Sequence, residues 1–113
     1  MDVDGLVSAA RDGLESILSR LAKGSDLKAL KDDFFDVYVL LEKAVFLYKL
    51  EGSVESLEGF EKVEGRPEEL VVGALDLLES FLNDPDGPDR LKVLRGARNR
   101  IKSVLILLRS RRA

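Results

Sequence analysis

The sequence predicts an all-α fold, an antiparallel four-helix bundle, and three observations carry that expectation. Apolar residues recur in steps of three and four along four long segments. No stretch alternates apolar with polar residues over a useful length, as a half-buried strand would. The boundaries between segments carry glycine, proline and capping residues, and short connections favour antiparallel neighbours. The 113 residues suit one domain, 1–113, with a core large enough to hold without covalent staples.

The first helix is expected over 2–23. Val3, Leu6, Val7, Ala10, Leu14, Ile17, Leu18 and Leu21 share a face, and Gly24 supplies the stop. Ser25 or Asp26 then caps a second helix over 26–51, ending at Gly52. Its first half is amphipathic, with Leu27, Leu30, Phe34, Val37, Tyr38 and Leu41 in register. Its second half is apolar nearly all round, broken only by Glu42, Lys43 and Lys49. One bundle covers about half of a helix's circumference, so the surplus points to a homodimer built on Leu40, Phe46 and Leu47.

Residues 53–64 read as a short extra helix or an ordered loop, because Gly59 interrupts a drifting apolar spacing. The third helix starts at Arg66-Pro67-Glu68-Glu69, with proline at the first helical position and acids in the first turn. Asn83-Asp84-Pro85-Asp86-Gly87-Pro88 is a turn, and the fourth helix runs from there to about residue 111.

Composition excludes several chemistries. The chain has no Cys, so it holds no disulfide, no Cys-ligated zinc and no thiol nucleophile. It has no His, the commonest general base and metal ligand. No catalytic residue set stands out and no cofactor is indicated. Thr and Gln are absent and Asn occurs only at 83 and 99, while Glu, Arg and Lys are many, a bias that fits a thermophile. The longest apolar runs fall far short of the roughly 20 residues that span a bilayer, and the acidic start lacks a leader's pattern. A cytoplasmic location away from membranes is the expectation.

The net charge of −3 conceals a segregation. Residues 51–89 carry 12 acids and 2 bases, whereas residues 90–113 carry 9 bases and no acid. Either the basic last helix lies beside the acidic middle, or it faces an external polyanion. Contact between the two segments would remove the motive for the second reading. On that reading Arg95, Arg98, Lys102 and Arg109, which share a side of the helix, would grip the phosphates of RNA or DNA. Paired carboxylates offer an enzymatic alternative. Asp33 with Asp36 and Asp76 with Glu79 are i,i+3 pairs that would hold magnesium for nucleotide hydrolysis, if two bundle helices faced each other.

A helix, then Lys23-Gly24-Ser25-Asp26-Leu27, a long aromatic-containing helix and a late Arg98-Asn99 together resemble the HEPN-type four-helix bundles. That resemblance implies a helical bundle that dimerises and partners a protein or acts on RNA. The ribonuclease motif of that group is Arg, a polar residue, a few residues and then His. Arg98 and Asn99 match its first two positions, and Ser103 stands where the His is expected. The sequence thus yields an expected role as a small homodimeric interaction module with a protein partner, and RNA or DNA as a second partner class.

Overall fold

The computed structural model describes residues 2–52 and 59–110. Among them are four α-helices, a short 3-10 helix and no strand, so the all-α expectation holds. Helix α1 is Val3–Ala22, the 3-10 turn is Leu27–Leu30, α2 is Lys31–Gly52, α3 is Pro67–Asn83 and α4 is Arg90–Ser110.

Local chemistry sets the boundaries. The Gly5 N–H donates to Asp2 Oδ1 at 2.8 Å, satisfying one of the free amides at the start of α1. At the other end Gly24 N–H donates to the Leu21 carbonyl and Ser25 N–H to the Arg20 carbonyl, the paired bonds of a Schellman motif. That motif needs a left-handed residue, and Gly24 takes φ +97°. The second helix begins later than the sequence predicts. Residues 27–30 form a 3-10 turn in which Ala29 N–H donates to the Asp26 carbonyl, and Asp26 makes no side-chain cap bond. With no capping bond to start the wider turn, the tighter i→i+3 pattern takes the first residues. Pro67 opens α3 as the spacing predicts. Residues 59–64 carry no helix, and residues 53–58, the rest of the expected extra helix, lie outside the described residues.

The arrangement follows from which helices touch. Helix α1 packs on α2 and α3, and α4 packs on α2 and α3, so α1/α4 and α2/α3 are the diagonals. Arg20 near the end of α1 pairs with Asp33 near the start of α2 at 3.1 Å. Arg90 at the start of α4 pairs with Asp4 at the start of α1 at 3.3 Å. The Arg90 guanidinium also lies 3.8 Å over the Phe81 ring near the end of α3. Helices α1 and α4 therefore run one way and α2 and α3 the other, and every adjacent pair is antiparallel.

This topology forces a long crossover. The end of α2 and the start of α3 lie at opposite ends of a molecule 43 Å long. The 14 residues between them reach about 45 Å at full extension, enough to make the journey. The described part of that connection lies over α4, where Val63 N–H donates to Ser103 Oγ at 2.9 Å. The Lys102 ammonium sits 4.6 Å from the Phe60 ring beside it.

One core fills the bundle. Leu14, Phe34, Leu41, Leu78, Phe81, Leu94 and Ile101 are sealed from solvent and come from all four helices. The predicted face of α1 is the observed one, save that Leu18 and Leu21 sit half-buried at its edges, as do Leu75 and Leu82 on α3 and Leu105 on α4. Gly13 lets α1 approach α2 closely, for a β-carbon there would stand 2.8 Å from Val37 Cγ2.

Candidate functional site

Among the described residues, helix α2 carries three of the four exposed large apolar side chains, with Val72 of α3 the fourth. Its inner side buries Phe34, Val37, Leu41, Ala44 and Val45. At 100° per residue, Phe35, Val39, Phe46 and Leu50 fall within about 60° of one another on the far side. Phe46 is 62% exposed, Leu50 61% and Phe35 54%. Exposed apolar residues scattered singly are ordinary, but a run along one helical face marks a contact surface. Of the three residues expected at a dimer seam, Phe46 is fully presented while Leu40 and Leu47 are half-buried. Phe46 and Leu47 join Lys43 and Leu6 of α1 around a shallow cleft of about 350 Å³. The sequence reading missed Phe35 and Leu50, although their spacing of 11 and 4 residues from Phe46 places them on its face.

The basic helix is not a free stripe. Arg98 is 8% exposed, and its Nη1 donates to Glu42 Oε1 of α2 at 2.5 Å. Its Nε donates to Asn99 Oδ1 at 2.8 Å. Arg95 is half-buried in a groove that it shares with Glu61, Lys92 and Arg100 under the crossover. Lys102 is half-buried against Phe60 and Tyr38, and of the four only Arg109 is exposed. The four residues expected to face a polyanion are therefore split between an internal ion pair, a groove under the crossover and the surface. Helix α3 and residues 60–63 pack directly on α4, so the acidic segment does lie against the basic one. The motive for a polyanion on α4 goes with that contact.

Asn99 and Ser103 have structural tasks. Ser103 is sealed from solvent, donates its hydroxyl proton to the Asn99 carbonyl at 2.8 Å and accepts the Val63 N–H. It thereby pins the crossover to α4 at the position where the resemblance places a histidine.

The carboxylates expected to hold magnesium are not brought together. Asp33 is committed to Arg20. Asp36 lies on α2, and Asp76 and Glu79 lie exposed on α3, the diagonal helix. Among the described residues no three acids gather in a way that could hold a metal ion. The physical reason is the order of helices round the bundle, which puts α4 between the two carboxylate pairs.

No family is shown. The chain matches no protein-family model, no curated protein and no solved structure. The site must be read from its own geometry, and two electrostatic features mark it. First, Asp36 and Lys43 border the same side of the exposed α2 face, two turns apart, with opposite charge. Second, burial pushes the Tyr38 hydroxyl above its ordinary pKa of 10.0, helped by the Glu42 carboxylate and opposed by the Arg98 guanidinium. Tyr38, Glu42 and Arg98 thus form a polar seam between α2 and α4. No helix among the described residues is long and apolar enough to cross a membrane.

Proposed function

We propose that this protein is a helical association module that pairs with a second copy through α2 and, as that dimer, engages a protein partner. The observation that carries the reading is the row of Phe35, Phe46 and Leu50 standing in solvent on one face of a helix. Burying each such side chain is worth about 1.5–3 kcal/mol, so the row opposes a lone molecule. Charge supports a two-fold pairing. When two copies of α2 run antiparallel across a dyad, Asp36 of one meets Lys43 of the other, and the symmetry makes that contact twice. A likeness to HEPN-type bundles is in keeping with dimerisation. Hydrolysis is not proposed, because Arg98 is committed to Glu42 and Ser103 replaces the histidine.

Sedimentation or light scattering at micromolar concentration tests the reading. The wild type should weigh twice the chain mass, and Phe46→Glu should be a folded monomer. Lys43→Asp should weaken the dimer, and adding Asp36→Lys should restore it. A monomeric wild type removes the dimer. Restoration failing in the charge swap removes the antiparallel register.

A further inference from the structure

A second surface lies on the opposite shoulder of α2, between its first turns and the last turns of α4. It is an open groove of about 470 Å³. Its floor is apolar and aromatic, formed by Phe35, Tyr38, Leu105 and Ile106. The Phe35 and Tyr38 rings stand 6.4 Å apart at a tilt of 49°. Its rim is made by Lys31, Lys102 and Arg109, and no acid among the described residues lines it. Among the described residues these three cations make no ion pair, and Lys102 is held only by the faces of Phe60 and Tyr38. In a chain of net charge −3, that gathers three positive charges, unpaired among the described residues, round the exposed Phe35 and half-buried Tyr38 rings.

Spacing says what fits. Lys102 and Arg109 are seven residues apart on α4, so their attachment points are about 10 Å apart along the helix axis. A single carboxylate or phosphate cannot meet both. A partner helix laid along the groove, with carboxylates two turns apart and large apolar side chains between them, meets both cations and covers the floor. We propose that this groove docks an acidic amphipathic helix from a protein partner. The partner's apolar residues sit on Phe35, Tyr38, Leu105 and Ile106, its two carboxylates face Lys102 and Arg109, and Lys31 closes the opposite rim. Complementary charge sets the orientation and speeds encounter, while the apolar floor supplies the affinity.

The test uses the full chain and a 14-residue helical peptide carrying Glu at positions 4 and 11 and Leu at 7 and 8. Its controls are the Gln counterpart and a short RNA duplex. Fluorescence anisotropy should show the acidic peptide binding at least tenfold tighter than the Gln peptide at 50 mM salt. Resonance shifts in a nitrogen-edited NMR spectrum should cluster at residues 31–38 and 102–109. Lys102→Glu with Arg109→Glu should lower affinity for the acidic peptide at least tenfold with an unchanged melting curve. Leu105→Ser, which keeps all three charges, should also weaken it several-fold. Equal binding of the Glu and Gln peptides, shifts mapping elsewhere, or RNA binding as tight as the acidic peptide would each overturn the proposal. Phe46→Glu should leave peptide binding intact, so failure of the dimer and failure of the groove are read separately.

Discussion

Breaking the ion pair between Arg98 and Glu42 from its two ends should give unequal results. The Arg98 side chain is 10% exposed and the Glu42 side chain 41%. In Glu42→Leu the guanidinium stays buried, and among the described residues Asn99 Oδ1, at 2.8 Å, is the side-chain acceptor left to it. Stranding one member of a fully buried pair costs about 3–5 kcal/mol, and the half-open Glu42 side discounts that to about 2–3 kcal/mol. In Arg98→Met the buried charge is gone and Glu42 turns into water, so the cost falls to about 1 kcal/mol, mostly the donor lost to Asn99. For a chain of 113 residues about 1 kcal/mol moves Tm by about 4 °C. Glu42→Leu should therefore lower Tm by about 8–12 °C and Arg98→Met by about 4 °C. The double variant should resemble Arg98→Met, giving a coupling of about 2 kcal/mol in the cycle. Thermal melts by circular dichroism at one fixed protein concentration measure this, the fixed concentration mattering because a dimer's Tm depends on it. If Arg98→Met costs as much as Glu42→Leu, or the two effects simply add, Arg98 is not held as described and its availability to an outside anion reopens.

Three further outcomes follow from the packing. Ser103→Ala should cost about 1–2 kcal/mol by orphaning the Val63 N–H, and hydrogen exchange at Val63 should accelerate more than at core amides of α1. Gly13→Ala should destabilise despite a helix-propensity gain of about 1 kcal/mol, because the stiff, buried Val37 cannot swing away from a β-carbon 2.8 Å distant; a rise in Tm would contradict that approach. Tyr38 holds its proton more tightly when folded, so its contribution to stability is complete below pH 10.0 and is lost as pH rises through its raised folded pKa. Tyr38→Phe should accordingly lose less stability than wild type between about pH 10 and 12, as chemical unfolding at each pH would show.

Helix positions were legible in the sequence because each buried stripe repeats at the helical period, and because Gly24 and Pro67 have the backbone preferences their boundaries require. The excess of apolar surface on α2 was legible for the same reason, since no arrangement of one bundle could cover every side of 37–50. Its finer geography was not. Leu40 and Leu47 turn towards the bundle while Phe35 and Leu50 turn out, and that depends on where α1 and α4 flank the helix. The fate of the four basic residues was equally hidden. Arg95, Arg98, Lys102 and Arg109 share a side of α4 by angle alone, but the pairing of Arg98 needs Glu42 from 56 residues away. Local periodicity carries no information about that partner.

The order of the helices round the bundle decides which surfaces can work. Because α2 and α3 are diagonal and parallel, the chain between them must travel the length of the molecule, and its described part lies over α4. That part covers α4 at Lys102 and Ser103 and places Glu61 in one groove with Lys92, Arg95 and Arg100. Packing on α2, α3 and that connection leaves Lys92 and Arg109 as the exposed residues of α4 between 90 and 109. Helix α2 has no such cover. Its flank towards α1 presents Phe46, and its flank towards the end of α4 presents Phe35 under three cations. The two faces share Phe35, which lies about 20° from Phe46 round the helix and 11 residues from it along the chain. Dimerisation through Phe46 and Leu50 and docking of an acidic helix at Lys31, Lys102 and Arg109 therefore meet at Phe35, and Phe46→Glu set against Lys102→Glu with Arg109→Glu separates the two.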